Sequence, residues 1–332
     1  MAVKAKLVGH TGQPFSLKEW LRSLWSFSRP HTIVGTALSI AALGVMAITL
    51  TPPITALVAW NLGSILAVIG AALIPSLCAN IYIVGLNQPT DIEIDRINKP
   101  HLPLAAGLLS PLEGQWIVSL MGGTALLSAL LQGPVLLATV VLSMAIGTVY
   151  SLPPLRLKRF PFWAALCIVG VRGVVVNLGF FVHFRQLLSQ VPADQWLSYP
   201  IPPEIWALTM FVVLFALAIA IFKDIPDLAG DQQFQIYTLT VRLGTEFVFR
   251  LSRWVLTLCY GLLIGLSLLN GLPSVQPLFL VTMHLGLLGL MWWMSFRVNL
   301  HEKSEVSQFY QFIWRLFFLE YLLFPIACVI GR

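Results

Sequence analysis

The carboxylates of this chain are concentrated in two short stretches, where its chemistry is expected. The first stretch is Asn87-x3-Asp91-x-Glu93-x-Asp95 and the second is Asp224-x2-Asp227-x3-Asp231, and together they hold six of the fourteen acidic residues. Aspartates four positions apart lie about one helical turn apart, so each such pair would project from one face of a helix or of its frayed end. Carboxylates this close repel one another unless a cation binds between them. Because Mg²⁺ favours a few carboxylates plus the phosphate oxygens of a substrate, the pattern predicts a magnesium site for a phosphorylated substrate.

The elements that must position these acids are membrane-spanning helices. Hydrophobic residues make up 58% of the 332 residues and charged residues only 10%, far outside the range of soluble globular proteins. The apolar runs show no period-two alternation, which favours helices over a barrel. The chain is therefore predicted to be an all-α polytopic membrane protein, in which the second helix can continue to the first acidic cluster. Nine runs are long enough to span a bilayer: 31–50, 54–80, 112–131, 134–151, 161–182, 204–222, 248–270, 274–295 and 310–330.

The basic residues give the bundle an orientation. With nine spans and a cytoplasmic N-terminus, only Arg185 and Arg332 fall on the far side of the membrane, while most of the other Lys and Arg residues fall on the cytoplasmic side. This asymmetry satisfies the positive-inside rule, and it predicts both acidic clusters on the cytoplasmic face. Lysines and arginines beside membrane spans also account for the net charge of +6, so no nucleic-acid partner is expected.

The N-terminal segment, residues 1–30, differs from residues 31–332, which carry the nine spans. Between Phe15 and Phe27 the large apolar residues recur at helical spacing. They are Leu17, Trp20, Leu21, Leu24 and Trp25. This spacing predicts an amphipathic helix that lies on the membrane surface before the first span.

Two polar groups, Arg172 and Asn177, lie inside the fifth predicted span. Polar and ionisable groups within a bilayer are costly and by default face a cavity or a partner, so a functional role is favoured there. The alternative is a structural ion pair between Arg172 and one of the clustered acids. After the fourth span, Arg156, Lys158 and Arg159 are equally consistent with a role in topology and with anion binding.

The two halves of the chain resemble each other weakly. Each acidic cluster follows a span and precedes a basic loop that ends in glycine, Gly107 in the first half and Gly244 in the second. Such a repeat would place two similar sites opposite one another at the cytoplasmic mouth of the bundle.

Several strings of the chain resemble the UbiA-type intramembrane prenyltransferases. Asn87-Gln-Pro-Thr-Asp91-Ile-Glu-Ile-Asp95-Arg-Ile-Asn-Lys-Pro100 is similar to the first aspartate-rich motif of that family, and Lys223-Asp-Ile-Pro-Asp227-Leu-Ala-Gly-Asp231 is similar to the second. The other matching strings are Ser28-Arg-Pro-His-Thr32, Tyr150-Ser-Leu-Pro-Pro-Leu-Arg-Leu-Lys-Arg159 and Arg172-Gly-Val-Val-Val-Asn177-Leu-Gly-Phe-Phe-Val-His-Phe184. Within the family, these strings most resemble the homogentisate prenyltransferases, particularly the phytyltransferases of tocopherol synthesis in cyanobacteria and plastids.

The resemblance implies a bundle of nine helices around a central cavity and a Mg²⁺-dependent reaction. A prenyl diphosphate, with phytyl diphosphate expected, would bind with its tail in a lipid-accessible channel. Its diphosphate would be held by Mg²⁺ between Asp91, Asp95, Asp227 and Asp231. The cations that would neutralise the leaving diphosphate are Lys158, Arg159, Lys99 and Lys223. The allylic cation would then attack homogentisate, which loses its carboxyl group as CO2 to give a methylated prenyl quinol.

The same resemblance implies a set of substrate contacts. Arg172 or His31 would bind the carboxylate of the acceptor, because a cation is required there. The full set of implied substrate-binding residues is Asn87, Lys99, Tyr150, Arg156, Arg172, Asn177, Lys223, Asp224, His31 and Arg29.

Alternatives stay open within and outside this class. Among the enzymes they are a geranylgeranyl or solanesyl donor and a 4-hydroxybenzoate or chlorophyllide acceptor. A cation-coupled transporter is less favoured, because transporters usually place acids near the membrane midplane, whereas both clusters here adjoin basic loops at one face. The resemblance predicts a cyanobacterial thylakoid or plasma membrane, with the active site on the cytoplasmic face.

Overall fold

A computed structural model of the chain describes residues 16–51, 62–189 and 200–332, which form helices and no strand. A 3-10 turn, Leu157–Arg159, precedes α7, and a π-helical turn, Gly170–Val175, joins α7 to α8. The α-helices are α1 (Leu17–Phe27), α2 (Pro30–Leu50), α3 (Leu62–Thr90), α4 (Ile92–Asn98), α5 (Pro111–Leu130), α6 (Pro134–Ser151), α7 (Pro161–Val169), α8 (Val176–Ser189), α9 (Pro203–Phe222), α10 (Leu228–Gln233), α11 (Leu239–Leu243), α12 (Thr245–Leu268), α13 (Pro277–Ser295) and α14 (Lys303–Ile330).

Nine long helices account for most of the described residues, when α7, the π-helical turn and α8 are taken as one continuous helix. Eight of them are long and apolar enough to cross a membrane, and α5, with 20 residues, is the ninth. The prediction of an all-α polytopic membrane protein is confirmed. The second long helix runs to Thr90 and so reaches the first acidic cluster, while its predicted start at residue 54 lies outside the described residues.

The long helices form a closed ring. Neighbours pack in the order α2, α3, α6, α7–α8, α9, α12, α13, α14 and back to α2, and α5 packs outside against α3 and α6. Two contacts cross this ring, since α2 also packs against α8 and α9 against α14. Because successive spans run in opposite directions, the ends of α3, α6 and α9 meet the starts of α2 and α14 at one end of the bundle. We call this the site end, since both acidic clusters lie there.

Aromatic residues fill the centre of the ring away from the site end. Phe211 stacks on Phe215 with ring centres 5.6 Å apart and meets Tyr260 edge-on at 5.3 Å. Phe317 of α14 lies 5.5 Å from Phe215. All four side chains are 0% exposed, so this cluster ties α9, α12 and α14 together.

Helix α1 lies at the site end and carries an exposed apolar face. Leu17, Leu21 and Trp25 are exposed on one face, whereas Phe27 is fully buried. The carbonyl of Phe27 accepts a hydrogen bond from Gln88 Nε2 at 2.8 Å, which fixes the end of α1 to α3.

Candidate active site

Both acidic clusters lie where a long helix gives way to a short one. Asp91 precedes α4, and the amide of Asp95 donates to its carbonyl at 2.8 Å. Asp227 precedes α10, and the amide of Asp231 donates to its carbonyl at 3.1 Å. Asp95 and Asp231 are each 6% exposed. The two clusters therefore share one local geometry, as the similarity between the two halves predicted.

The short helices α4 and α10 pack against each other and bring the clusters together. The amide of Gly230 donates to Asn98 Oδ1 at 2.9 Å, and Lys99 forms an ion pair with Asp227. A Cβ atom on residue 230 would lie only 2.5 Å from Asn98 Oδ1, so this approach requires glycine.

The loop after α6 supplies cations to the first cluster. Lys158 Nζ donates to both carboxylate oxygens of Asp91 at 2.7 Å and to Asn87 Oδ1 at 3.0 Å. Arg156 adopts a left-handed backbone with φ 37°, and its guanidinium donates to Asp91 Oδ1 at 3.0 Å and to the Thr90 carbonyl at 2.8 Å. A role in setting the membrane topology would not require these contacts. They place both cations against the first acidic cluster, as anion binding there would require.

The second cluster has its own cation, and a further arginine lies near the first cluster. Lys223 Nζ lies 2.7 Å from Asp224 Oδ1, and Tyr150 of α6 is close to both residues. Arg29 adopts a left-handed backbone with φ 52°, and its buried Nε has no hydrogen-bond partner among the described residues. The positive charge of Arg29 is close enough to favour the ionised form of Asp95.

Negative charge at the site is incompletely balanced. Burial raises the pKa of Asp95, and the carboxylates of Asp91 and Asp227 raise it further against the opposing effect of nearby cations. Burial raises the pKa of Asp231 to about 7, with additional contributions from Asp227 and Asp224. Both shifts show that an added positive charge would be stabilised between the clusters.

The donor set suits a hard divalent cation, because it consists of carboxylate oxygens. Within the described ranges, no three His, Cys, Asp or Glu side chains already surround a common point. In this arrangement Asp91 is bound by Lys158 and Asp227 by Lys99. The residues fit Mg²⁺ in chemistry and charge, with substrate oxygens needed to complete its coordination.

Not every predicted residue joins the clusters. Arg159 is exposed at the end of the 3-10 turn, so the structure does not bring its side chain to the acids.

Arg172 lies in the π-helical turn and stacks on Trp314, its Cζ 4.9 Å from the ring centre. The alternative of an ion pair between Arg172 and a clustered acid is wrong, since no such pair exists among the described residues. Asn177 accepts a hydrogen bond from the Tyr321 hydroxyl at 2.9 Å, and the His31 ring lies 4.9 Å from that of Trp314.

Sequence reasoning missed Asn98, Gly230 and the aromatic face of α14. Asn98 and Gly230 lie within the two aspartate-rich strings, so their position next to the acids was an available signal. Tyr310, Trp314 and Phe317 recur at spacings of four and three residues, which indicates one helical face but does not separate a binding wall from ordinary packing.

Comparisons with known proteins agree with this geometry. The chain matches the UbiA prenyltransferase family over residues 37–316. It is 48% identical over 307 residues to a homogentisate phytyltransferase of Synechocystis sp., covering 92% of this chain and 96% of that protein. It is 38% identical over 311 residues to a homogentisate geranylgeranyltransferase of Hordeum vulgare, covering 92% and 72%.

A solved structure shares the fold. It is that of a UbiA homolog from Archaeoglobus fulgidus bound to GPP and Mg²⁺, which superposes with a TM-score of 0.57 at 15% identity and covers 93% of this chain and 99% of that chain. The family match, the relatives and the paired aspartate clusters lead to one conclusion. The chain belongs to the UbiA prenyltransferase family.

Proposed function

We propose that this protein transfers a prenyl group, phytyl in the first instance, from its diphosphate to homogentisate. The allylic C–O bond breaks and diphosphate leaves. A new bond joins the prenyl carbon to the aromatic ring, which gives up one proton. The acetate side chain loses CO2, and its remaining carbon takes up one proton. The product is a methylated prenyl quinol of the kind used in tocopherol synthesis.

The observation that carries the proposal is the meeting of the two aspartate clusters at the site end. Lys99 and Asn98 of the first motif bind Asp227 and Gly230 of the second, so the two clusters lie against each other. Two similar carboxylate clusters that face each other, with cations around them, suit a substrate that carries a metal-bound diphosphate.

Asp91, Asp95, Asp227 and Asp231 would hold Mg²⁺. When bound, the ion supplies positive charge to the diphosphate oxygens as the C–O bond weakens. The raised pKa values of Asp95 and Asp231 support the assignment, because a cation between the clusters would relieve the repulsion that raises them.

The cations of the chain would stabilise the leaving group directly. Lys158, Lys99 and Lys223 each form an ion pair with a clustered aspartate, and the charge of Arg29 acts on Asp95. These cations would stabilise the negative charge that develops on the diphosphate in the transition state. They would therefore bind the transition state more strongly than the substrate.

The orientation in the membrane is part of the proposal. The basic residues around the site end favour the cytoplasmic side, of a thylakoid or plasma membrane. The exposed apolar face of α1, Leu17, Leu21 and Trp25, would then rest on the cytoplasmic leaflet, with Lys18 and Arg22 available to its anionic headgroups. Residues 31–332 would carry the catalytic bundle.

The test is a reconstituted reaction with carboxyl-labelled homogentisate. Purified protein in lipid nanodiscs is supplied with phytyl, geranylgeranyl or solanesyl diphosphate, with and without Mg²⁺. We expect labelled CO2, diphosphate and prenyl quinol in equal amounts, formed only with Mg²⁺ and fastest with the phytyl donor. Turnover of 4-hydroxybenzoate or chlorophyllide in place of homogentisate would contradict the assignment of homogentisate as the acceptor. A faster reaction with geranylgeranyl or solanesyl diphosphate would contradict the assignment of phytyl diphosphate as the donor.

A further inference from the structure

Arginines and indole rings share one patch of the surface where α12 begins and α13 ends. The Cζ atom of Arg253 in α12 lies 4.9 Å from the ring centre of Trp292 in α13. The Cζ atom of Arg297, just after α13, lies 3.7 Å from the ring centre of Trp293. We call the following residues the arginine–aromatic patch: Arg250, Arg253, Arg297, Trp254, Trp292 and Trp293.

The protein does not neutralise the positive charge of this patch. Across the residues that the structure describes, none of the three arginines forms an ion pair with an acid. Glu246 lies one turn before Arg250 on α12 but does not pair with it, and Glu305 instead accepts a hydrogen bond from the Asn299 amide at 2.7 Å. Arg250 lies close enough to Arg253 for its positive charge to act on it. Because like charges at this helical spacing repel each other, an anion from outside would stabilise them.

The guanidinium of Arg253 is oriented by its neighbours and keeps unused donors. Its Nη1 donates to Ser295 Oγ of α13 at 3.4 Å, while its Nε has no hydrogen-bond partner in the described part of the chain. The ring beside it is fixed in turn, since the indole N–H of Trp292 donates to Thr257 Oγ1 at 3.0 Å. A planar guanidinium held against aromatic rings loses little freedom when it binds a phosphate group.

The patch lies at the site end and faces outwards from the bundle. Helix α12 follows the short site-end helices α10 and α11, and Lys303 at the start of α14 donates to the Asn98 carbonyl at 3.4 Å. Trp254 is 62% exposed, and the exposed side chains of Leu258 and Leu262 continue from it along α12 at four-residue spacing. Indole rings are favoured at the level of lipid headgroups, and an apolar line below them suits an acyl chain.

The patch is separate from the acidic clusters and from α1. The cations that pair with the clusters are Lys99, Lys158 and Lys223, which come from other elements of the chain. Helix α1 packs against α3, which stands four places from α12 in the ring of eight, so the patch lies on the opposite flank of the bundle.

We propose that the arginine–aromatic patch binds one anionic phospholipid of the leaflet at the site end. The lipid phosphate meets the guanidinium groups of Arg250 and Arg253, while Arg297 adds positive charge beside it. One acyl chain lies along Trp254 and Leu258. A zwitterionic lipid offers the same phosphate but brings its own ammonium group towards the arginines, so the patch selects an anionic headgroup. This inference goes beyond the proposed function, because the ligand is neither substrate of that reaction.

Native mass spectrometry of the full protein tests this selectivity. The detergent-solubilised protein is titrated with phosphatidylglycerol or with phosphatidylcholine of the same acyl chains, and we expect phosphatidylglycerol to bind more tightly. An arginine at a membrane surface changes lipid binding about fivefold, so Arg250→Gln/Arg253→Gln should weaken phosphatidylglycerol binding about 20-fold or more. Binding of phosphatidylcholine should change much less. Lys18→Gln/Arg22→Gln is the matched control, because it removes two positive charges from α1 and should leave the strongest phosphatidylglycerol site intact.

Photocrosslinking tests the same site in the unmodified protein, in case the variants do not fold. Photoactivatable phosphatidylglycerol in nanodiscs should label residues 250–262 and 290–297 more strongly than the same probe with a phosphatidylcholine headgroup, and inorganic diphosphate should not compete. Equal labelling by the two probes, or loss of labelling with inorganic diphosphate, would overturn the proposal. So would loss of the phosphatidylglycerol site in the α1 variant in place of the patch variant. A dimer of the parent protein that becomes a monomer in the patch variant would instead assign the patch to a contact between copies of this chain.

Discussion

Lys99 and Asp227, 128 residues apart in the chain, form an ion pair across the site end. Lys99 follows α4 and Asp227 precedes α10, so the cation of the first motif neutralises an acid of the second. The bond from Gly230 to Asn98 runs beside it. The two halves of the site are therefore joined by the side chains of the protein itself, and a change in one cluster is expected to affect the other.

Loss of a clustered aspartate should abolish most activity without unfolding the protein. Asp91→Ala or Asp227→Ala should lower kcat on the order of a hundredfold or more, because each removes a carboxylate that would hold the charge-stabilising metal. The measurement is turnover of prenyl diphosphate at saturating Mg²⁺, with detergent-stable protein confirmed by gel filtration.

Glu93→Ala is the matched control for these variants. Glu93 belongs to the same motif, but its side chain is 67% exposed and, within the described ranges, pairs with Arg96 alone. The activity of Glu93→Ala should stay within about twofold of that of the parent protein, because an exposed ion pair contributes little to stability. Near-normal turnover in both Asp91→Ala and Asp227→Ala would refute the metal assignment.

Gly230→Ala should separate the two clusters. The new methyl group would lie 2.5 Å from Asn98 Oδ1, so either the Asn98 side chain or α10 itself must move, which breaks the hydrogen bond between them. We expect a stability loss of about 1–3 kcal/mol and a marked fall in kcat. Thermal unfolding and turnover are compared with Gly261→Ala in α12, where the added methyl group would meet no other atom within 4 Å and should leave activity intact. Equal behaviour of the two variants would contradict the close approach.

Without metal, the protein should become less stable as the pH rises towards neutrality. The folded pKa of Asp231 is about 7, whereas an unfolded aspartate titrates at about 3.9. Between these values the folded protein keeps a proton that the unfolded chain releases, so its stability falls across this window and levels off above it. Measurement of the free energy of unfolding in EDTA at pH 5 and at pH 8 shows whether stability falls or rises with pH. Asp231→Asn should reduce the difference, and an unchanged difference in that variant would assign it to other groups.

A buried pair far from the clusters should control stability rather than catalysis. His284 Nδ1 lies 2.7 Å from the Leu280 carbonyl, so that nitrogen carries a hydrogen and Nε2 shares a proton with Glu320 Oε2 at 3.0 Å. His284→Leu should cost about 3–5 kcal/mol, because it leaves Glu320 unpaired in an apolar bundle. The double variant with Glu320→Leu should cost less than His284→Leu alone in thermal unfolding. A larger cost in the double variant would show that the pair is not the source of the loss.

The site end should face the cytoplasm. In a variant that lacks the four native cysteines, single cysteines at Glu93, Arg159 and Asn270 would occupy exposed positions. An impermeant thiol reagent should label the first two from the cytoplasmic side of sealed vesicles and Asn270→Cys from the opposite side. Labelling of positions 93 and 159 from different sides would overturn the site as described.

The sequence by itself determined the class of the fold and where the acidic clusters lie along the chain. Long apolar runs can satisfy their backbone hydrogen bonds in a bilayer only as helices or closed barrels, so composition and periodicity were sufficient to predict the bundle. The acidic clusters could also be recognised from the sequence, because clustered carboxylates are rare in so apolar a chain. Their spacing was sufficient to predict Asp91, Asp95, Asp227 and Asp231 as candidate metal ligands.

Only the tertiary structure decided which distant groups meet. Lys99 bonds to Asp227 and Gly230 to Asn98 because α4 packs on α10, a contact that no local pattern encodes. The structure also separated neighbours that the sequence grouped together: Lys158 reaches Asp91, whereas Arg159 points outwards from the same turn. The sequence showed that Arg172 is a costly charge inside a span, but it could not show which groups Arg172 contacts. The rings of Trp314 and Phe317 come from a helix more than a hundred residues away. Helical periodicity fixes which residues share a face, while the packing of whole helices fixes what that face meets.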